Sequence, residues 1–185
     1  GWVAEKCGDD TARVMGRITL NPLPHIDPVG TILLPLILVF TGSNFWIAWA
    51  KPVPINPNKF KHFSSDLLKV SLAGCTANFL TAVSLAFLIM ILRGLGIGGT
   101  AAFINILIYG LYINIMLGIF NLIPIPPLDG SNILYSFLPV KAQEIFRRIT
   151  PFGFLILIVL INTYFFRVIF STIVSIIAQI LLSFA

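Results

Sequence analysis

The sequence predicts an all-α polytopic membrane protein with about four to five transmembrane or re-entrant helices and a short membrane-associated β element. Three observations predict it. Of the 185 residues, 57% are apolar and only 10% are charged, with a mean hydropathy of +0.97; a soluble globular domain carries roughly 25% charged residues. Charge is absent from residues 28–50, 70–92, 94–128, 149–166 and 168–185, runs near or above the roughly 20 apolar residues that cross a bilayer. The cations gather in two polar stretches instead, one holding Lys51, Lys59, Lys61 and Lys69 and the other Lys141, Arg147 and Arg148. Two predicted spans separate them, so loops 51–69 and 139–148 share a side, which the positive-inside rule makes cytoplasmic.

These facts exclude a water-soluble enzyme and a disordered chain. The net charge of +5 resides mostly in those loops, and no interleaving of aromatic and basic residues supports a nucleic-acid partner. Cys7 and Cys75 make neither a metal spacing nor a disulfide framework; Cys75, inside an apolar run, reads as a small packing residue. The length leaves room for one membrane domain, 1–185.

Taken in order, residues 1–27 are polar and mixed in charge, too charged for a signal peptide. Arg17-Ile18-Thr19-Leu20 has a strand-like pattern with β-branched residues at its centre, and the prolines of 22–28 forbid a continuing helix. Residues 28–50 are a poor span, interrupted by Pro35 and by Thr41-Gly42-Ser43-Asn44. Trp46 and Trp49 suit an interfacial belt ahead of Lys51. Residues 51–57 are proline-rich and extended. Residues 71–92 form a cleaner span, with Gly74, Asn78 and Ala82 as a small-polar stripe for close helix contact. A glycine-rich turn, 94–99, leads to a span over 101–123 that carries Gly110, Asn114, Gly118 and Asn121 on one face. That row of amides leads to Pro124-Ile125-Pro126-Pro127-Leu128-Asp129-Gly130. Residues 141–148 are amphipathic, and two apolar segments split by Arg167 close the chain, the first of them short for a full span.

Asp129 is the most informative residue. It ends the longest uncharged run, where three prolines release the backbone from helix geometry. An ionisable group in a span costs about 2.5–3.5 kcal/mol on insertion scales and usually has a partner or a task. Two readings stand side by side: a carboxylate in a polar intramembrane pocket, suited to a metal ion or a proton relay, or an interfacial cap on a helix beginning near Ser131. His25 and Asp27 form a second pair, either a substrate or metal contact or an interfacial His beside an Asp that caps the turn at Pro28. Asn78 either donates to a reacting oxygen or bonds a neighbouring helix. His62 lies in a solvated loop, and Arg93 and Arg167 read as snorkelling side chains.

Four stretches together resemble the site-2 protease family of intramembrane zinc metalloproteases, in its small bacterial and archaeal form. They are 16–31 (Gly-Arg-Ile-Thr-Leu-Asn-Pro through His25-Ile26-Asp27-Pro28), 49–57 (Trp-Ala-Lys-Pro-Val-Pro-Ile-Asn-Pro), Leu72-Ala73-Gly74-Cys75-Thr76-Ala77-Asn78, and 121–130, the last resembling Asn-x-x-Pro-x-x-Pro-Leu-Asp-Gly. Cys75 stands where the family's Ala-Gly-Pro-x-x-Asn motif has Pro. The resemblance implies that Asp129 is the third ligand of one Zn²⁺ and that Asn78 lies near the scissile carbonyl. It also implies that 17–20 and 52–56 belong to a β structure whose edge receives an unwound substrate. In the family a His-Glu-x-x-His helix supplies two further ligands and a general base, leaving a fourth zinc position for water.

No His-Glu-x-x-His occurs in these 185 residues, and the family spacing implies one immediately before Gly1. The expectation is therefore an N-terminally truncated peptidase-like domain that is inactive as it stands. Its parts would be a β and re-entrant region at 1–57, core helices at 70–130 and C-terminal hydrophobic helices at 149–185. The whole protein would sit in a bacterial or archaeal cell membrane and hydrolyse peptide bonds of transmembrane proteins. The alternatives are a non-catalytic relative that binds membrane helices and a small proton-coupled transporter using Asp129, the latter disfavoured by the missing internal repeat.

Overall fold

The computed structural model describes residues 1–42, 48–96 and 101–184, with the side chain of Ala101 left aside. Ser43 and Asn44 of the predicted break, Trp46 of the predicted belt and residues 97–99 of the glycine-rich turn lie outside the described residues. The chain divides into two compact units, 1–66 and 67–185.

In the first unit, α1 (Trp2–Lys6) and α2 (Thr11–Val14) bury Ala4 and Ala12 completely. Gly8 joins them at a φ of +108°, and a Cβ there would stand 2.8 Å from the Lys59 carbonyl oxygen, so a side chain is excluded on two counts. Asp9 is fully buried. Its carboxylate accepts from the Thr11 amide at 3.0 Å, the Thr11 hydroxyl and the Asn56 amide at 2.7 Å, which ties the 51–57 segment to the first helices. Two surface ion pairs, Arg13 with Glu5 and Lys59 with Asp10, also lie in this unit.

The β element is not there: among the described residues no strand of any kind forms, and the reason is local chemistry. The Arg17 amide closes a helical turn on the Ala12 carbonyl at 2.8 Å. Thr19 Oγ1 then accepts from the Asn21 amide, and Asn21 Oδ1 from the Leu23 amide, both at 3.1 Å. These side-chain turns compete with a ladder and win. Facing them, Pro52, Pro54 and Pro57 have no N–H to contribute. What joins the segments is a side chain, the Arg17 guanidinium donating to the Lys51 carbonyl at 2.7 Å.

Beyond this region a π-helical turn over Pro28–Leu33 runs into α3 (Leu34–Phe40). This apolar stretch, Pro28–Phe40, reaches only about 20 Å, short of a bilayer's hydrocarbon core. The Trp49 ring covers Gly30, where a Cβ would come within 2.3 Å of it. The Trp49 amide donates to the Gly30 carbonyl at 3.2 Å.

The second unit is built on three helices long and apolar enough to span a membrane: α4 (Phe63–Gly94), α5 (Ala101–Asn121) and α9 (Tyr164–Ser183). Among the described residues three helices are long enough to cross, where about four to five transmembrane or re-entrant helices are expected; two apolar stretches already read as poor or short spans account for the difference. Residues 28–40 are too short, and the segment after residue 149 breaks into a turn and α8 (Gly153–Asn162), about 15 Å long. Thr163 ends α8 and caps α9, its hydroxyl accepting from the Phe166 amide at 3.3 Å, so Arg167 lies in the first turn of α9 and not at a break. At its start α4 takes in the end of the basic loop, beginning at Phe63. The spans meet through small residues. Ala82 and Ala86 of α4, Leu111 and Ile115 of α5, and Val174 and Ala178 of α9 form one buried cluster. Gly118 of α5 admits the Phe79 ring to 2.9 Å of its absent Cβ, the close approach that association of helices in lipid favours. Two short helices, α6 (Asp129–Phe137) and α7 (Val140–Ile149), join α5 to the C-terminal pair. This is an integral membrane architecture, all helix among the described residues.

Candidate functional site

The site grows from the end of α5. Pro124, Pro126 and Pro127 cannot donate into a helical ladder, and the backbone from 122 to 128 closes on itself in tight turns. The Leu122 amide reaches the Ile119 carbonyl at 3.1 Å, and the Leu128 amide reaches the Ile125 carbonyl at 3.0 Å. Helix α6 then starts at Asp129, two residues ahead of the expected Ser131. Ser131 is buried and donates its hydroxyl to the Leu128 carbonyl at 2.7 Å.

Two glycines make this turn possible. A Cβ on Gly130 would stand 2.1 Å from the Leu122 carbonyl oxygen, and one on Gly153 would stand 2.4 Å from that of Pro126. Real Cβ atoms essentially never come so close to backbone. The start of α8 and the start of α6 are therefore both seated directly on the proline turn.

A third glycine meets the carboxylate itself. A Cβ on Gly74 of α4 would lie 3.1 Å from Asp129 Oδ2, with nothing else within 4 Å beyond the surrounding helix backbone. Asn78 follows four residues later, so it shares that helix face at roughly 6 Å along the axis. Both Asp129 and Asn78 are half-buried. Among the described residues the Asp129 carboxylate accepts no hydrogen bond and meets no cation. The structure thus sets Asp129, at the start of α6, against α4 at Gly74, one helical turn from Asn78.

The other candidates have local tasks. Asp27 accepts from the Val29 amide at 3.0 Å and the Gly30 amide at 2.8 Å, which caps the turn at Pro28. His25 Nε2 lies 3.3 Å from the Thr19 carbonyl oxygen. Asn114 spends its amide on the Gly110 carbonyl at 2.8 Å, so the expected row of amides does not extend freely to the proline turn. Arg167 donates to the Asn162 carbonyl at 3.4 Å. Gly153 and its seat on Pro126 were not legible: a glycine opening an apolar segment carries no sign of the distant backbone it touches.

Among the described residues no group of three or more His, Cys, Asp or Glu side chains is gathered to hold a metal. A zinc site takes three or four protein ligands, and Asp129 provides one oxygen donor group. The described residues alone therefore do not fit a zinc ion.

The fold is that of a polytopic membrane protein with a half-buried carboxylate at a proline turn. A profile of peptidase family M50 matches residues 96–162. The "Putative zinc metalloprotease YwhC" of Bacillus subtilis is 37% identical over 166 residues, covering 88% of this chain and 72% of that protein. The "Putative zinc metalloprotease Rip2" of Mycolicibacterium smegmatis is 28% identical over 176 residues, covering 91% of this chain and 64% of the relative. "Protease RseP" of Photorhabdus luminescens is 32% identical over 84 residues, covering 43% and 37%. No solved structure matches the chain. The chain belongs to peptidase family M50, the site-2 protease family of zinc metalloproteases, and is of bacterial type. It spans about two thirds to three quarters of the length of the first two relatives.

Proposed function

We propose that this chain is the greater part of an intramembrane zinc metalloprotease of the small bacterial or archaeal type, which hydrolyses peptide bonds of transmembrane protein substrates. The observation that carries the reading is the unpartnered Asp129 carboxylate resting over Gly74, one helical turn from Asn78. A half-buried carboxylate without a partner is costly in an apolar setting and is kept where it has a ligand to hold. In this reading Asp129 would be one ligand of a Zn²⁺ whose other ligands lie outside these residues, and the ion would supply Lewis-acid chemistry toward a peptide carbonyl. Asn78 offers its amide N–H groups to that carbonyl oxygen and holds the extended substrate in place.

The remaining ligands and the general base, the His-Glu-x-x-His of the family, are not among these 185 residues. The proposal places them in a segment encoded before Gly1. Residues 1–185 then form a single peptidase-like domain with loops 51–69 and 139–148 on the cytoplasmic side.

The test is zinc content and cleavage of a transmembrane substrate, measured on the product of the whole reading frame. About one zinc per protein and cleavage activity are expected, and both should fall away in Asp129→Ala. A reading frame with no His-Glu-x-x-His before Gly1, or a whole protein with no zinc, would overturn the protease reading in favour of a non-catalytic relative. Substrate flux in proteoliposomes abolished by Asp129→Asn would overturn it in favour of a transporter.

A further inference from the structure

Helix α7 has a use that neither the fold nor the candidate site accounts for. Its sequence winds Ala142, Ile145, Phe146 and Ile149 onto one side and Lys141, Glu144, Arg147 and Arg148 onto the other. The rest of the protein covers one edge of the apolar side. The Phe146 ring meets Tyr135 of α6 at 6.0 Å between centroids, and Gln143 donates to the Leu138 carbonyl at 3.0 Å. The other edge is bare: Ile145 is 61% exposed, Ile149 44%, and Phe152 just beyond the helix 62%. On the polar side Arg148 bridges Glu144 at 3.0 Å. Among the described residues Lys141 and Arg147 have no acceptor.

We propose that α7 lies in the lipid–water interface and binds anionic phospholipid, with Ile145 and Ile149 among the acyl chains and Lys141 and Arg147 at the headgroup phosphates. The spans α5 and α9 stand before and after it in the chain, joined to it through the proline turn and α6 on one side and through α8 on the other, so a bilayer surface is within its reach. At ten residues it is about 15 Å long and cannot cross. Its charged side has no place in hydrocarbon, where every ionisable group is expensive. Three cations against one carboxylate leave the helix with a net positive charge complementary to an anionic headgroup layer. A bare apolar edge beside unpaired cations on a helix tethered between spans fits a lipid surface on both counts, apolar and ionic. The inference stands whether or not the protease reading does.

The experiment places an environment-sensitive fluorophore at Ile145→Cys in the whole protein, reconstituted in phosphatidylcholine vesicles with and without phosphatidylglycerol. Cys7 and Cys75 are both buried, and the unsubstituted protein treated with the same reagent is the blank. The Ile145 label should be quenched by brominated acyl chains and ignored by aqueous iodide, and a label at Glu144→Cys should do the reverse. Brominated phosphatidylglycerol should quench more strongly than brominated phosphatidylcholine, with the preference falling roughly 5-fold for each charge removed in Lys141→Gln and Arg147→Gln. Lys141→Arg with Arg147→Lys should restore it, which separates charge from misfolding. Iodide quenching at Ile145 would overturn the proposal, because the helix would face water. Protection from both quenchers would overturn it in favour of a covering protein, a second copy included. Equal quenching by the two lipids would remove the anionic headgroup from it.

Discussion

The Asp129 carboxylate rests on Gly74 of α4: a Cβ at position 74 would stand 3.1 Å from Oδ2, and beyond the surrounding helix backbone it would meet no other atom within 4 Å. The missing side chain at one position is what allows the charged side chain at the other to lie against the helix. Gly74 and Gly130 should therefore respond differently to the same substitution.

At Gly74, alanine adds one methyl group beside the tip of a side chain. Alanine in a helix is also favoured over glycine by about 0.8–1 kcal/mol, so Gly74→Ala should fold as well as the parent. The carboxylate would have to move by a few tenths of an ångström, and on the proposed zinc-protease reading the zinc affinity of the whole protein should weaken. Thermal unfolding in detergent together with a zinc competition titration reads both. Unchanged zinc affinity would remove Gly74 from the site.

At Gly130 the obstacle is backbone. A Cβ 2.1 Å from the Leu122 carbonyl oxygen demands that the proline turn shift, and Gly130→Ala should cost about 3 kcal/mol or more. Low yield and a strongly lowered unfolding temperature are expected. A folded Gly130→Ala protein of parental stability would contradict the packing of α6 on residues 122–123.

Asp129→Ala removes a half-buried carboxylate that has no partner among the described residues. Nothing is left unpaired by the change, so the stability of the metal-free protein should stay within about 1 kcal/mol of the parent, or rise. Unfolding midpoints measured in the presence of a chelator check this. A large loss of stability would mean that Asp129 has a structural partner, and the site would need another reading.

Asp9 couples the first unit to pH. Burial pushes its carboxyl up, but the Thr11 hydroxyl and the Asn56 and Thr11 amides outweigh burial and hold it below the ordinary value of 3.8. A folded pKa below the unfolded one means that the stability is present above pH 3.8 and is lost as the pH falls through the folded value. Glu5 beside Arg13 and Asp10 beside Lys59 shift the same way from exposed positions. Asp9→Ala leaves the Thr11 and Asn56 amides without an acceptor and should cost about 2–3 kcal/mol at neutral pH. The acid limb of a stability–pH curve should be shallower in Asp9→Asn than in the parent, and an unchanged limb would exclude Asp9 as its source.

Much of this molecule is visible in its residues because lipid imposes simple rules. The uncharged runs mark α4, α5 and α9, since only long apolar helices satisfy their own backbone in hydrocarbon. Asp129 stands out for the same reason, a charge after a long stretch without one. The β element misleads because Ile18 and Thr19 have strand-like side chains while the outcome rests on Thr19 and Asn21, which offer the backbone a nearer partner. The contacts of Gly74, Gly130 and Gly153 stay hidden until the chain is folded, because a glycine's sequence neighbours do not reveal which distant atom needs the space. The shortness of α8 shows in the sequence, as an apolar segment too brief for a full span, whereas the break at Thr163 that sets its end does not.

Gly153 has a mechanical consequence. With no side chain between the first residue of α8 and the Pro126 carbonyl, the helix and the turn are in direct bearing, like a rod resting on a pivot. α8 cannot slide along its axis by a fraction of a turn without displacing Pro126, and three residues later the chain is Asp129. A push on α8, whether from a passing helix or from a change in the thickness of the surrounding lipid, would reach the carboxylate as a displacement of its support.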